Sequence, residues 1–111
     1  MMGRLLMLHR RKAAAALLAC ALLAPPAALA SPELARSRNC VACHHAERKM
    51  IGPAFKAIAE RYGRNEAAIM PLSEKIVKGG GGVWGPTPMP PQPAVSPQDA
   101  EALAKWILSL P

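Results

Sequence analysis

The stretch Cys40-Val41-Ala42-Cys43-His44 decides the fold, because it places two thiols three residues apart and an imidazole directly after the second. This spacing allows both thiols to add to the vinyl groups of one haem while the next residue presents its ring to the iron. At the end of a helix, a three-residue step puts both sulfur atoms on the same side. The sequence therefore predicts covalent haem attachment through Cys40 and Cys43, with His44 as an axial ligand of the iron.

Two other kinds of site use paired cysteines. A thioredoxin-like redox pair requires a neighbouring βαβ pattern, which this sequence lacks. A zinc site requires four ligands, and only the two cysteines and one adjacent histidine are at hand. The third cysteine, Cys20, lies in the leading segment, so a disulfide framework is excluded once that segment is removed. His45 follows His44 directly and is expected to be a surface histidine.

The first thirty residues have the pattern of an export signal. Residues 1–12 are basic, residues 13–24 are apolar, and residues 25–30 end in Ala28-Leu29-Ala30. This order predicts a secretory signal peptide, cleaved after Ala30. The apolar run is shorter than the roughly twenty residues of a membrane-spanning helix, which argues against an uncleaved anchor. We therefore expect a signal peptide over residues 1–30 and one folded domain over residues 31–111, located in the periplasm.

An alternative for the leader involves Cys20. The stretch Leu17-Leu18-Ala19-Cys20 resembles a bacterial lipoprotein cleavage box, although Leu18 is not the small or β-branched residue usual there. A lipid on Cys20 would tether the domain to a membrane surface through residues 21–39. Without that lipid, no stable membrane insertion is expected.

The formal charge of +7 reports the leader more than any binding surface. Four basic residues lie in the leader, so residues 31–111 retain ten basic and seven acidic residues, a net charge of +3. The remaining basic residues are scattered among acidic ones, without a dense basic stripe carrying aromatic residues. Nucleic-acid binding is therefore not implied.

The pattern of residues 31–111 is helical. β-Branched residues are few and never alternate with polar ones, which makes a sheet improbable. Apolar spacing and capping residues predict helices from Ser31 to about Cys40, over 53–62, over 65–78 and from Ser96 to the end. Pro71 is expected to split the third helix into two pieces, and Gly79 to end it as a left-handed cap. Residues 83–97 should form an ordered proline-rich loop, and the last helix should pack against the first.

Three methionines could supply the second axial ligand of the iron. Met50 is only six residues after His44, where the chain still lies on the histidine side of the haem. Met70 lies at the end of a helical piece, directly before Pro71. Both are therefore expected to fill core space. Met89 lies among prolines, which prevent a helix, stiffen the backbone and reduce the entropy that is lost when one side chain is held in place. We expect Met89 to be the ligand, the alternative being a core methionine in a rigid loop. Histidine and methionine together would close both axial positions, which favours electron transfer over enzyme chemistry.

These segments together resemble the class I cytochromes c of the small bacterial cytochrome c-551 type. The resemblance covers nearly all of residues 31–111 and rests on residues 40–44, 49–55, 82–86, 88–91 and 104–107. It implies an all-α fold of four to five short helices wrapped around one covalently bound haem c. It also implies that Pro53 offers its carbonyl to the ring N–H of His44. Trp84 is expected to donate to a haem propionate, with ordinary aromatic packing as the alternative.

The resemblance further implies a monomeric periplasmic carrier with one haem per chain. Such a protein would shuttle single electrons from a quinol-oxidising complex to a terminal oxidase or a periplasmic reductase such as nitrite reductase. Partner proteins would dock weakly at the exposed haem edge, near Val41, Ile51, Val83 and Pro86. The alternatives are a haem-based gas sensor, in which Met89 dissociates, and a haem subunit of a larger oxidoreductase.

Overall fold

The computed structural model describes residues 32–111, and within that range the regular structure is helical. Its helices are α1 (Pro32–Ser37), α2 (Phe55–Arg61), α3 (Ile69–Lys78) and α4 (Pro97–Ser109), with short 3-10 helices at Cys40–Ala42 and Glu66–Ala68. An isolated antiparallel bridge joins Gly80 to Met89. This part of the chain therefore confirms the predicted all-α fold. The predicted signal peptide over 1–30, Cys20 and the capping Ser31 lie outside the described residues.

Helix α1 is shorter than predicted. It ends at Ser37, and Asn39 then adopts a left-handed conformation with φ 60° and ψ 20°. Asparagine tolerates this region better than most residues, and a right-handed helix cannot continue through it. The prediction of one helix reaching Cys40 was therefore wrong, since Cys40 begins a separate 3-10 helix.

Helix α2 lies within the predicted segment and is set by the residues at its two ends. Ala54 precedes it in an extended conformation, with φ −58° and ψ 143°. Gly63 follows it at φ 68°, a conformation that is easy for glycine and strained for other residues. The helix buries Phe55, Ile58 and Ala59 toward the core.

The third helical segment consists of two pieces, as predicted, but Pro71 does not divide it. The side chain of Asn65 accepts a hydrogen bond of 2.9 Å from the amide of Ala67 and opens the 3-10 helix. Helix α3 then starts at Ile69, which makes Pro71 its third residue. Amides of the first helical turn have no intrahelical partner, so a proline there removes no hydrogen bond.

Helix α4 closes the domain. The hydroxyl of Ser96 accepts a hydrogen bond of 3.1 Å from the amide of Asp99, and Pro97 occupies the first helical position. The helix packs mainly against α3, then α2, and least against α1. The predicted packing of the last helix against the first is therefore confirmed, although α3 and α2 cover more of α4. The core lies between α4 and the other helices and contains Ala35, Phe55, Ile58, Ala68, Leu72, Ile76, Val95, Ala100, Leu103, Ala104, Ile107 and Leu108.

Residues 79–96 form the connection between α3 and α4 and contain no helix. Gly79 ends α3 with φ 71° and ψ −163°. Its φ is positive, as predicted, but its ψ differs from that of a left-handed cap. None of the helices in residues 32–111 has the length and apolar character required to cross a bilayer.

Candidate haem site

A large cavity opens among the helices and the connection between α3 and α4. Its volume is about 200 Å³. That volume far exceeds a packing defect, since a cavity needs only about 10–15 Å³ on the same measure to hold one water molecule. Its lining includes Cys40, Cys43, His44, Pro53, Trp84 and Met89, together with apolar core residues such as Ile58, Leu72, Ile76, Leu103 and Ile107. The structure thus brings all six residues singled out in the sequence to one cavity.

The ring of His44 is fixed by the residues that follow it. Its Nδ1 atom lies 2.7 Å from the carbonyl oxygen of Pro53. A carbonyl can only accept, so Nδ1 carries the proton and donates. In the neutral form of this tautomer the lone pair lies on Nε2, and neutral histidine is the form that binds a metal.

Two further contacts hold this ring, and the sequence reasoning did not identify them. The ring of Phe55 stacks on His44 with centroids 5.3 Å apart and an interplanar angle of 22°. Phe55 in turn meets Trp106 edge-on at 5.1 Å. A Cβ atom on Gly52 would lie 2.5–3.0 Å from three ring atoms of His44, so only glycine fits beneath the ring. The sequence signal that could have identified the contact with His44 was the position of Phe55, two residues after Pro53.

Cys40 and Cys43 are half-buried, and neither forms a disulfide. The amides of Cys43 and His44 both donate to the carbonyl of Cys40, at 3.2 and 3.0 Å, which closes this segment into a tight turn. Burial raises the pKa of the Cys40 thiol above its ordinary value, and the nearby Cys43 adds to that rise. A raised pKa keeps the Cys40 thiol protonated, so this environment does not mark Cys40 as a reactive thiolate.

The three methionine candidates separate clearly in the structure. Met50 and Met70 are 40% and 59% exposed, and neither lines the cavity. The expectation that they fill core space was therefore wrong. Met89 is half-buried and lines the cavity together with His44. Its backbone pairs with that of Gly80.

Trp84 lines the cavity and is held from outside by α2. The guanidinium carbon of Arg61 lies 4.8 Å from the centre of the tryptophan ring. The same guanidinium donates to the carbonyl of Val83 at 3.2 Å. The charged side chains that line the cavity in the described part of the chain are Lys49 and Lys75, with no carboxylate among them. The cavity is therefore suited to an anionic group on an otherwise apolar ligand.

The rim of the cavity carries exposed apolar side chains. Val41, Ile51, Val83 and Pro86 are all exposed rather than in the core, and the last three line the cavity. His45 is exposed as expected, and its Nδ1 accepts a hydrogen bond of 3.1 Å from the amide of Glu47.

The donor set fits a haem better than a bare metal ion. The residues that line the cavity include two cysteines, a histidine and a methionine, beside apolar side chains and two lysines. Within residues 32–111, no cluster of three or more histidine, cysteine or acidic side chains could hold a metal ion. A zinc site is therefore not supported.

Comparison with known proteins gives a consistent result. The model of the cytochrome c family matches residues 30–111. The chain is 50% identical to cytochrome c-552 of Nitrosomonas europaea, over 80% of this chain and 86% of that protein. It is 47% identical to cytochrome c-551 of Pseudomonas aeruginosa, over 79% of this chain and 85% of that protein. The crystal structure of the Nitrosomonas europaea cytochrome superposes with a TM-score of 0.70 and 49% identity, covering 73% of this chain and all of the other.

These matches establish the family and bear out the resemblance seen in the sequence. The relatives are electron carriers rather than enzymes, and the family carries haem c attached covalently, in agreement with the spacing of Cys40 and Cys43. The chain therefore belongs to the cytochrome c family, as a small class I bacterial cytochrome c that carries electrons on one haem c.

Proposed function

We propose that this cytochrome shuttles single electrons in the periplasm. It would take them from a respiratory quinol-oxidising complex and deliver them to a terminal oxidase or to a periplasmic reductase such as nitrite reductase. The single observation that carries this proposal is the cavity that gathers Cys40, Cys43, His44 and Met89 in a member of the cytochrome c family. The bound haem supplies the one-electron couple of its iron.

We assign the residues of the cavity as follows. Cys40 and Cys43 would form the two thioether bonds to the haem. His44 and the sulfur of Met89 would bind its iron, and His44 would do so through Nε2, because its Nδ1 is already engaged by Pro53. Pro53 holds the ring in one tautomer and orientation, and such partners of metal-bound histidines also raise the basicity of the ligand.

Trp84 and Lys75 are proposed to hold the haem propionates. The indole N–H is a donor without acceptor capacity, so it suits a carboxylate. The ammonium of Lys75 supplies a charge of opposite sign on the same cavity lining. Lys75 was not identified from the sequence, since its pattern within α3 is that of any exposed helical lysine.

Ligation of the iron by both His44 and Met89 would leave no position for a substrate or a gas. This distinguishes the carrier from a haem sensor, in which Met89 would have to dissociate. Besides His44, Trp84 and the two cysteines, the lining side chains that carry polar groups are Asn39, Tyr62, Thr87, Gln92 and the two lysines. No carboxylate or second histidine stands there to move protons for chemistry at the iron.

Electron exchange requires a surface at which partner proteins dock briefly. We propose that this surface is formed by Val41, Ile51, Val83 and Pro86, all of which are exposed, and the last three of which line the cavity. A partner protein that docks there would lie close to the haem edge, so the electron would travel a short distance. Small interfaces of this kind suit weak redox encounters. Replacing Ile51 by Glu should slow electron exchange with the physiological partner and leave the reduction potential unchanged, which stopped-flow kinetics would measure.

We also propose that residues 1–30 are a signal peptide and that residues 31–111 are the exported monomeric domain. Mass spectrometry of the protein from the periplasmic fraction should give a chain that starts at Ser31. A diacylated fragment that starts at Cys20 would instead show that the protein is a membrane-tethered lipoprotein. Cys20→Ser would then release it from the membrane.

The deciding experiment combines a redox titration with electron-transfer kinetics against candidate partners from the same cell. Reversible one-electron behaviour and exchange with a quinol-oxidising complex would support the shuttle. Met89→Ala should abolish the ferric charge-transfer band of sulfur-to-iron ligation, and an unchanged band would refute the role of Met89. Rapid binding of carbon monoxide by the native protein at neutral pH would favour the sensor.

A further inference from the structure

We propose that Gly79 is a positioning residue for the sulfur ligand, because its missing side chain leaves room for the backbone of Met89 to pair with Gly80. The inference rests on the proposed role of Met89 as iron ligand. Gly79 has no side chain with which to contact the haem ligands, and it does not line the cavity.

The end of α3 and the methionine segment are joined by backbone hydrogen bonds. The amide of Met89 donates to the carbonyl of Gly80 at 2.7 Å, and the amide of Gly80 donates to the carbonyl of Met89 at 3.1 Å. Farther along, the amide of Gln92 donates to the carbonyl of Val77 at 3.0 Å. We call the reciprocal pair between Gly80 and Met89 the latch.

Proline makes this latch hard to replace. Residues 88–91 read Pro-Met-Pro-Pro, and proline has no backbone N–H. The amide of Met89 is therefore the only backbone donor of these four residues, and the latch uses it. If the latch were lost, residues 88–91 would have no other amide of their own, and the nearest backbone hydrogen bond to α3 would be that of Gln92 to Val77.

Gly79 lies where this segment passes the end of α3. A Cβ atom on Gly79 would lie 2.4 Å from the carbonyl oxygen of Met89, 2.8 Å from the nitrogen of Pro91 and 2.9 Å from the carbonyl carbon of Pro90. All three are backbone atoms, so no rotation of a side chain can relieve the overlap. The stiff prolines on either side of Met89 limit local adjustment, so the whole segment would have to move away from α3.

Gly63, at the end of α2, provides a control away from the cavity. It has a positive φ, 68°, close to the 71° of Gly79, and a Cβ atom placed on it would have no heavy atom within 4 Å. Alanine at position 63 therefore introduces the strain of a positive φ without an overlap. Alanine at position 79 introduces both. The difference between the two variants reports the effect of crowding Met89.

The test is the binding of imidazole to the iron of the ferric holoprotein, since imidazole must displace the sulfur. We expect Gly79→Ala to raise the apparent affinity for imidazole roughly tenfold or more, because overpacking against rigid backbone weakens the competing bond. The charge-transfer band of sulfur ligation should weaken in parallel. Gly63→Ala should stay within about twofold of the wild type, since no atom lies near its Cβ and it does not line the cavity. Equal effects of the two variants would overturn the proposal.

Met89→Ala, measured beside them, keeps the two proposals distinguishable. If Met89→Ala leaves imidazole affinity and the band unchanged, the proposed ligand is wrong. If Met89→Ala opens the iron while Gly79→Ala does not, only the role of Gly79 fails.

A second measurement on the wild type covers the case in which Gly79→Ala does not fold. Amide hydrogen exchange reports local opening without unfolding of the core. When imidazole has displaced the sulfur, the amides of Gly80 and Met89 should lose protection roughly tenfold or more, while that of Leu103 in α4 keeps it. Full protection of the latch amides in the imidazole complex would show that Met89 leaves by rotation of its side chain alone, and would overturn the proposal.

Discussion

The two sides of the haem cavity are held by different means. On the histidine side, the ring of His44 is fixed by a hydrogen bond to Pro53 and by the stacked ring of Phe55, with Gly52 directly beneath it. On the methionine side, Met89 is held through its backbone, by the pair of hydrogen bonds to Gly80. On the histidine side the side chain of the ligand is itself packed, whereas on the methionine side the backbone that carries the ligand is held in place.

This difference follows from where the residues lie in the sequence. The contacts of His44 come from residues within eleven positions of it, on a loop whose own hydrogen bonds are local, such as Gly52 to Cys43 at 2.7 Å. The Met89 segment instead depends on the end of a helix and on glycines with positive φ. We therefore expect the iron to open on the methionine side first when the protein is perturbed.

The largest effect should separate the two ligands themselves. His44→Ala removes the ligand next to the attachment cysteines, and haem-bearing protein should fall to roughly a tenth of the wild-type yield or less. Met89→Ala should retain most of its haem, because both thioethers and His44 remain. Haem content per chain, measured from the reduced pyridine complex, checks both variants. Equal losses would show that the two sides contribute equally to haem retention.

Truncation of Phe55 should give the next largest effect. Its ring is buried and contacts both His44 and Trp106. Phe55→Ala should lower the free energy of unfolding by about 3–5 kcal/mol, as removal of a buried aromatic ring leaves a cavity. Val83→Ala, on the exposed rim of the methionine side, should change it by less than about 0.5 kcal/mol. Urea denaturation of the ferric holoprotein gives both values, and similar losses would contradict the unequal packing of the two sides.

A smaller effect is expected from adding a single carbon atom beneath the histidine. Gly52→Ala would place a Cβ atom within 3.0 Å of the ring of His44. Overpacking of this kind should lower the free energy of unfolding by about 1–3 kcal/mol. The matched control is Gly81→Ala, where the nearest atom, on Pro88, would be 3.5 Å away in ordinary contact. Chemical denaturation compares the two, and the prediction fails if Gly81→Ala is as destabilising as Gly52→Ala.

Much of this arrangement could be predicted from the sequence because its signals are local. The haem motif at residues 40–44 and the apolar spacing of the helices depend only on neighbouring residues, so the fold class was correct. Pro71 was misjudged because its effect depends on where α3 begins, and that start is set by the capping side chain of Asn65. The left-handed Asn39, which ends α1 early, is a choice of backbone conformation that composition does not dictate.

The parts that sequence did not supply are contacts across the fold. The stacking of Arg61 on Trp84 joins residues on α2 and in the connection before α4, and no spacing rule pairs them. The exposure of Met50 and Met70 likewise depends on which faces the other helices cover. Lys75 reaches the cavity only because α3 packs as it does.

The smallest effect concerns Arg61, whose side chain contacts the methionine side from α2. Its guanidinium lies over the ring of Trp84 and donates to the carbonyl of Val83. Arg61→Met keeps an unbranched side chain of some bulk but removes the charge and both contacts. It should lower the free energy of unfolding by about 0.5–1 kcal/mol, the usual range of an exposed cation–π pair. Denaturation with urea measures this loss.

Arg61→Lys separates geometry from charge. It keeps the positive charge but loses the planar group that stacks on an aromatic ring and donates in a fixed fork. If geometry holds Trp84, both variants should lose comparable stability, whereas only Arg61→Met should lower the reduction potential, because it alone removes a positive charge near the haem. A redox titration of both variants supplies the second readout. A lysine variant as stable as the wild type would show that charge alone is sufficient, and that the tryptophan is held by its own packing.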